Sequence, residues 1–294
     1  MKITLTGSLG NISKPLAEKL INAGHEVTVI SSNKDKVAAI EALSAKAAIG
    51  SITDAAFVTE AFKGADAVYT MSPTDFSAAD VKGYIENIGK VYAEAIKAAG
   101  VTKVVNLSSI GAEFPEGTGP ITGIHRVEET LNKLENVAVK HLRAAYFYFN
   151  FYANIDMIKH AGILGSNYSA DDLLVMVHPN DIAEAAAEEL QGDFTGKSVR
   201  YVVGDEYTAG EATAILGAAI GKPELPWVQF SDEDALNGML QAGMPQDISK
   251  NYVEMGASMR GGKLYEDYFK HKPATFGKIK FEEFAKEFAE KYKG

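Results

Sequence analysis

Lys2-Ile3-Thr4-Leu5-Thr6-Gly7-Ser8-Leu9-Gly10-Asn11-Ile12-Ser13 stands at the head of a chain of 294 residues and sets how the rest is read. Ile3 and Leu5 alternate as a strand requires, and Ile12, Leu16 and Leu20 recur at helical spacing up to a stop at Gly24. Pro15 falls in the first helical turn, where its missing N–H costs nothing. A strand thus runs through G-x-x-G-x-x-S straight into a helix. Gly7 permits a tight turn off the strand, and Gly10 lets backbone approach a pyrophosphate held on the N–H groups of the helix start. Glu26-Val27-Thr28-Val29-Ile30-Ser31 supplies the next strand of a βαβ unit. Gly7, Ser8, Leu9, Gly10, Asn11 and Ile12 are accordingly read as a dinucleotide-binding turn.

Strand and helix patterns then alternate, the signature of a parallel sheet covered on both faces. Ala45 to Ile49 and Ala67 to Met71 read as strands, separated by a helical stripe at Phe57, Val58, Ala61 and Phe62. A long helix carries Val81, Ile85, Ile88, Val91, Tyr92, Ala95 and Ile96 on one face and stops at Gly100. Lys103 to Leu107 is a fifth strand, a helix is expected near Arg126 to Leu134, and Val137 to Leu142 is a sixth strand. Leu173 to Val177 and Ser198 to Val203 are expected to return to the same sheet around a helix at about Asp181 to Leu190. The expected architecture is an α/β Rossmann domain, a doubly wound parallel sheet over residues 1–155 with 173–203 returning to it. A smaller, mostly helical substrate lobe, residues 156–294, is expected over the carboxyl ends of the strands, where open α/β sheets bind ligands.

Composition narrows the function. With 46% hydrophobic and 23% charged residues the chain is ordinary for a soluble globular protein. A formal charge of −10 and no Lys/Arg-rich run argue against nucleic acid as a partner. The sequence holds no cysteine, which removes disulfides, thiolate catalysis and Cys-ligated metal. His25, His141, His160 and His271 show no metal spacing, so no metal is expected. No apolar stretch has the form of a signal peptide or the length to cross a bilayer, and the expected compartment is the cytoplasm, with no membrane partner.

The end of the second strand points to the nucleotide. NAD-specific sites place an acid there for the ribose 2′-hydroxyl. Here the place holds Ser31, Ser32, Asn33 and Lys34, with Lys36 close behind. Hydroxyl, amide and ammonium donors suit a 2′-phosphate, so NADP(H) is favoured over NAD(H).

These residues resemble the NmrA-like family of atypical short-chain dehydrogenase/reductases over nearly the whole chain. The Gly7 turn is similar to the family's T-G-x-x-G-x-x-G, with Ser13 in place of the last glycine. Gly50-Ser51-Ile52-Thr53-Asp54 resembles its G-D-x-x-D, with Ser51 where an acid would lie near adenine. Ser108-Ser109-Ile110-Gly111 resembles the serine-rich end of strand five beside the nicotinamide. His125-Arg126-Val127-Glu128-Glu129 looks like the following helix, Leu142-Arg143 with Asn150-Phe151 resembles L-R-P-x-x-x-x-x-N-F with Ala144 for proline, and Asn180-Asp181-Ile182-Ala183 matches D-I-A. The resemblance implies a Rossmann domain and NAD(P) binding by Ser51, Ile52, Met71, Ser72, Ser108, Ser109 and Tyr146 besides the turn and the strand-two residues. It implies either a reductase or a nucleotide sensor without turnover.

Short-chain dehydrogenases use Tyr-x-x-x-Lys, in which lysine lowers the tyrosine pKa for proton transfer. In the matching region this chain has Ile121 and His125; the one literal match, Tyr268 and Lys272, lies far out in the C-terminal lobe. Substrates that need strong acid catalysis are therefore disfavoured. Hydride transfer to a quinone-like or other electron-poor small molecule needs mainly positioning. His125, Tyr146 or water would supply the proton, with His125 preferred because imidazole titrates near neutrality. Tyr146 begins an aromatic run through Tyr152, and Tyr148, Asn150 and His178 are expected to line the substrate cleft. The competing expectation is a non-catalytic NADP(H)-sensing regulatory protein acting through a protein partner.

Overall fold

The computed structural model describes all 294 residues. Its centre is a parallel sheet of seven strands. In chain order the first half runs β1 (Lys2–Leu5), α1 (Ser13–Asn22), β2 (Glu26–Ser31), α2 (Val37–Glu41), β3 (Lys46–Ile49), α3 (Ala55–Phe62), β4 (Ala67–Thr70), α4 (Val81–Ala99), β5 (Lys103–Ser109) and α5 (Ile121–Asn132). Then come β6 (Ala138–Ala144), β7 (Tyr146–Phe147), α6 (Ile155–Ala161), β8 (Leu164–Ser166), β9 (Leu173–Val177), α7 (Pro179–Gln191) and β10 (Lys197–Val202). The chain closes with β11 (Asp205–Thr208), α8 (Ala209–Ala219), β12 (Trp227–Gln229), α9 (Asp232–Gln241), α10 (Gln246–Met259), α11 (Glu266–Lys270) and α12 (Phe281–Lys293).

The main sheet is ordered β10-β6-β5-β4-β1-β2-β3. Strand order reverses between β1 and β4, which opens a crevice at their carboxyl ends. Burial explains the strand sequences: all four residues of β4 are buried because helices cover both faces. Along β5, Val105 and Leu107 join the core beneath α1 and α7, while Val104 joins the core beneath α3, α4 and α5.

Two expectations are corrected. Leu173–Val177 does not return to the main sheet; β9 is the centre of a separate three-stranded sheet, antiparallel to β11 and parallel to β7. Helix α5 starts at Ile121, five residues before Arg126, and ends at Asn132. Gly123 reads as a breaker, yet it marks the crossing with α4: a Cβ there would meet Ile85 Cβ at 2.8 Å and the Lys82 carbonyl at 3.0 Å. A Cβ on Gly89 would likewise meet Val127 Cγ2 at 2.8 Å across the same contact.

The C-terminal lobe holds α8 to α12 and the short β8–β12 pair. Its apolar residues are continuous with the sheet's: one cluster of 50 buried residues runs from Ile3 and Leu16 to Leu264, Phe284 and Phe288. No helix is long and apolar enough to cross a membrane.

Candidate cofactor and acceptor site

The turn after β1 is built as a cradle. Gly7 adopts φ +91° and Ser8 φ +55°, the left-handed conformations of a sharp reversal. The Ser8 N–H donates to the Ile30 carbonyl at 3.0 Å and its hydroxyl to Ser31 Oγ at 2.9 Å, tying the turn to the end of β2. Ser13 is buried, and its hydroxyl donates to the Thr6 carbonyl at 2.8 Å. A Cβ on Gly7 would lie 2.4 Å from Ser13 Oγ, so the serine fills room that Gly7 leaves. Helix α1 has no side-chain cap, and the N–H groups of Leu9, Asn11 and Ile12 have no protein acceptor. Free donors at the positive end of a helix fit a pyrophosphate.

Beyond β2, Ser31 is buried with its hydroxyl beside Ser8, while Ser32, Asn33, Lys34 and Lys36 are exposed. Asn33 caps the short 3₁₀ turn Lys34–Lys36 by accepting from the Asp35 N–H at 2.8 Å. The turn therefore presents two ammonium groups on either side of Asp35. At the end of β3, the Gly50 N–H donates to the Ser31 carbonyl at 3.0 Å, which places Ser51 and Ile52 beside the β2 residues. Ser51 and Thr53 hydroxyls are bonded at 2.7 Å.

On the other side of the crevice, the Met71 N–H donates to Thr6 Oγ1 at 2.9 Å and the Met71 carbonyl accepts from Tyr92 at 2.7 Å. The Ser72 hydroxyl is buried without a protein partner, an open hydrogen-bonding position at the end of β4. At the end of β5, Ser109 is half-buried and bonds the Ile110 carbonyl. Ser108 departs from expectation. Its hydroxyl donates to Glu128 on the α5 face of the sheet, away from the turn at Gly7.

That bond leads into a buried ionic network absent from the sequence reading. Arg143 donates Nε to Glu128 Oε1 at 3.1 Å and Nη2 to Oε2 at 2.8 Å, a two-pronged contact between nearly inaccessible partners. Its Nη1 reaches Glu113, Tyr201 and Asp267, each at 3.2 Å. Burial first pushes the Glu113 carboxyl up, and the nearby Asp267 and Glu128 charges add to it.

The two candidate proton donors are not brought together. His125 lies on the face of α5 turned to a polar cavity of about 290 Å³, shared with Glu128, Asn132, His141 and Arg143. Its Nδ1 contacts the Ala112 carbonyl at 2.8 Å, which fixes a proton on Nδ1 and commits it to backbone. Tyr146 sits two residues past β6, half-buried, edge-on to Phe151 with ring centroids 5.7 Å apart. Burial pushes its phenol well above the ordinary value, with Tyr168 and Tyr252 adding to the rise and Asn150 opposing it. Tyr146 thus lies just past the end of β6 with other tyrosines close enough to affect it, and Asn150, four residues on, is exposed.

Tyr148 and His178 lie elsewhere, which corrects their placement in the cleft. Tyr148 is fully buried, donating to Asp205 at 2.8 Å and packed edge-on to Phe281. His178 is also buried and is the cap of α7, its Nδ1 accepting from the Asn180 N–H at 3.1 Å. Tyr268 is buried in the lobe with its hydroxyl on Glu206 at 2.6 Å. Sequence patterns did not point to Tyr168 or Tyr252, whose approach to Tyr146 depends on tertiary packing.

Comparison with known proteins agrees with the cradle. Residues 7–146 match the NAD(P)H-binding family model. No curated protein matches the sequence. Among solved structures, an NADPH-dependent quinone oxidoreductase from Escherichia coli in complex with NADPH is 20% identical, with 97% of this chain and 99% of that one aligned at a TM-score of 0.79. A triphenylmethane reductase from Citrobacter sp. complexed with NADP(H) is 18% identical over 98% of this chain and 99% of that one, also at 0.79. A nucleoside-diphosphate-sugar epimerase from Staphylococcus aureus is 18% identical over 97% and 100%, again at 0.79.

Proposed function

We propose that the chain, whose residues 7–146 match the NAD(P)H-binding family model, is an atypical short-chain dehydrogenase/reductase that acts as an NADPH-dependent reductase of a quinone-like, electron-poor small molecule. The observation that carries this is the half-buried Tyr146 phenol, edge-on to Phe151 just past β6, together with the uncapped helix α1 that follows β1 of the same parallel sheet. The open donors of Leu9, Asn11 and Ile12 would hold the pyrophosphate, and Ser31, Ser32, Asn33, Lys34 and Lys36 the 2′-phosphate that favours NADP(H) over NAD(H). Met71, Ser72 and Ser109 would border the nicotinamide.

Bound NADPH would supply a hydride. A quinone that gains a hydride needs one proton to become a hydroquinone, and Tyr146 holds that proton. Burial raises the Tyr146 pKa, so the phenol stays protonated and holds the proton ready until the acceptor oxygen becomes basic on gaining the hydride. The Tyr146–Phe151 ring pair would help to orient a flat acceptor, so positioning supplies much of the rate.

A second reading rests on Ile121 and His125. Ile121 is buried and apolar at the place of the family's tyrosine, and His125 is engaged with Ala112, a pattern that suits a nucleotide sensor acting through a protein partner. One experiment separates the two. The purified protein is mixed with NADPH and a panel of quinones and activated carbonyls, with oxidation followed by nicotinamide absorbance and binding measured in parallel. Binding with turnover is expected; binding without turnover of any acceptor would remove the reductase assignment.

A further inference from the structure

Tyr146 opens a row that crosses the small three-stranded sheet. Strand β7 runs parallel to β9 and β9 antiparallel to β11, with Tyr146 opposite Met176 and Met176 opposite Asp205. Residues opposite one another on neighbouring strands point to the same face, so Tyr146 and Asp205 share one side of this sheet. The Asp205 side chain is only 12% exposed, and its Oδ2 accepts from the Tyr148 hydroxyl and from the Phe281 N–H, each at 2.8 Å. Its Oδ1 pairs with Lys280 at 3.2 Å. The Phe281 N–H is one of the donors that a helix start leaves open, and α12 has no side-chain cap of its own, so Asp205 fixes where α12 begins. From there the contacts run back to Tyr146. The buried Phe281 ring packs on Phe151 with centroids 5.3 Å apart, and Phe151 in turn meets Tyr146 edge-on at 5.7 Å.

We propose that Asp205 is a positioning residue for the Tyr146 phenol, acting through Phe281 and Phe151. This rests on the reductase assignment, in which Tyr146 is the proton donor. The carboxylate holds a backbone N–H, the ring of that residue backs a second ring, and the second ring sets the rotation of the phenol. Edge-to-face pairs fix orientation as well as separation. Tyr148 follows Tyr146 by two residues, so the same carboxylate also holds the segment that carries the donor. A proton donor serves only within hydrogen-bond reach of its acceptor, and a misplacement of about 1 Å can cost roughly 100-fold in rate. Without the carboxylate, two buried donors lose their acceptor and the start of α12 is free to shift, taking Phe281 off Phe151.

A double-mutant cycle tests this: wild type, Asp205→Ala, Tyr146→Phe and the double variant, with kcat measured on NADPH and the quinone that the wild type turns over fastest, and NADPH affinity by titration calorimetry. Asp205→Ala is expected to lower kcat about ten-fold with NADPH affinity unchanged. Added to Tyr146→Phe, which has no phenolic proton left to place, it is expected to lower kcat no further. Asp205→Asn keeps an oxygen for both donors and is expected to recover the kcat that alanine loses. Phe281→Leu keeps the bond to Asp205 and loses the ring; it is expected to repeat the loss, and it takes the place of Asp205→Ala in the cycle should that variant not fold. An unchanged kcat, a loss that multiplies with that of Tyr146→Phe, an equal fall in NADPH affinity, or an Asp205→Asn protein as slow as Asp205→Ala would each overturn the positioning role and leave the reductase assignment standing. A wild type that binds NADPH and turns over no acceptor in the panel would overturn both.

Discussion

Replacing Ser13 by glycine would restore a third glycine to the turn, yet it is expected to weaken the protein. The Ser13 hydroxyl is buried and donates to the Thr6 carbonyl at 2.8 Å, so its removal leaves that carbonyl unpaired in the interior. An orphaned buried acceptor costs about 1–3 kcal/mol. Glycine in place of serine at the helix start adds roughly 0.5 kcal/mol at most. For 294 residues the unfolding entropy is about 0.6 kcal/mol/K, so a loss of about 2 kcal/mol lowers Tm by about 3 °C. The assay is thermal unfolding by calorimetry with and without NADPH, and affinity by titration calorimetry. Because the free donors of Leu9, Asn11 and Ile12 are untouched, NADPH affinity should stay at the wild-type value. A Ser13→Gly protein that melts at or above the wild type, or binds NADPH distinctly more tightly, would refute the claim that serine is built into this turn.

Tyr146→Phe is expected to lower kcat for a quinone about 100-fold with NADPH affinity unchanged; an unchanged kcat would take the phenol out of the reaction. Lys34→Ala with Lys36→Ala should weaken NADPH binding about five-fold and leave NADH binding alone, as measured by titration calorimetry, because exposed charge contacts are individually small. His141 and His178 are held below their ordinary pKa chiefly by burial. The folded state therefore binds fewer protons than the unfolded one once pH falls below the unfolded value of about 6.5. Stability is full above that pH and declines on acidification, and His178→Ala, which also removes the α7 cap at a cost of about 1 kcal/mol, should flatten the decline in a series of melting curves. Arg143→Ala leaves Glu128 charged and buried, a loss of about 3–5 kcal/mol and a Tm lower by about 5–8 °C.

The sheet was legible because its strands obey local rules. Glu26–Ser31 begins just after Gly24, Val81–Ala99 stops at Gly100, and each carries the period of its element, so tertiary context had little to add. Leu173–Val177 was recognisable as a strand but not as a member of a particular sheet, since a short apolar run fits any buried neighbour. The start of α5 lies directly after the Gly119-Pro120 pair, with Gly123 in its first turn, where the lack of a side chain serves the α4 crossing. The same division holds at the site. The Gly7 turn and the β2 end are contiguous stretches whose chemistry can be read in place. Tyr146 acquires its raised pKa first from burial and then from Tyr168 and Tyr252, more than 20 positions away, and the His125 Nδ1 is held by a carbonyl 13 positions back.

The single apolar cluster that joins Ile3 to Phe288 bears on how the molecule comes apart. A chain cut before α12 would strip Phe281, Phe284 and Phe288 from Tyr148, Phe149 and Tyr152, which extend directly from the cofactor-binding half. The first 155 residues are thus not a detachable module. Heat or denaturant should melt residues 1–155 and the C-terminal lobe in one transition, and grafting a different lobe onto this sheet would require redesigning the floor it stands on.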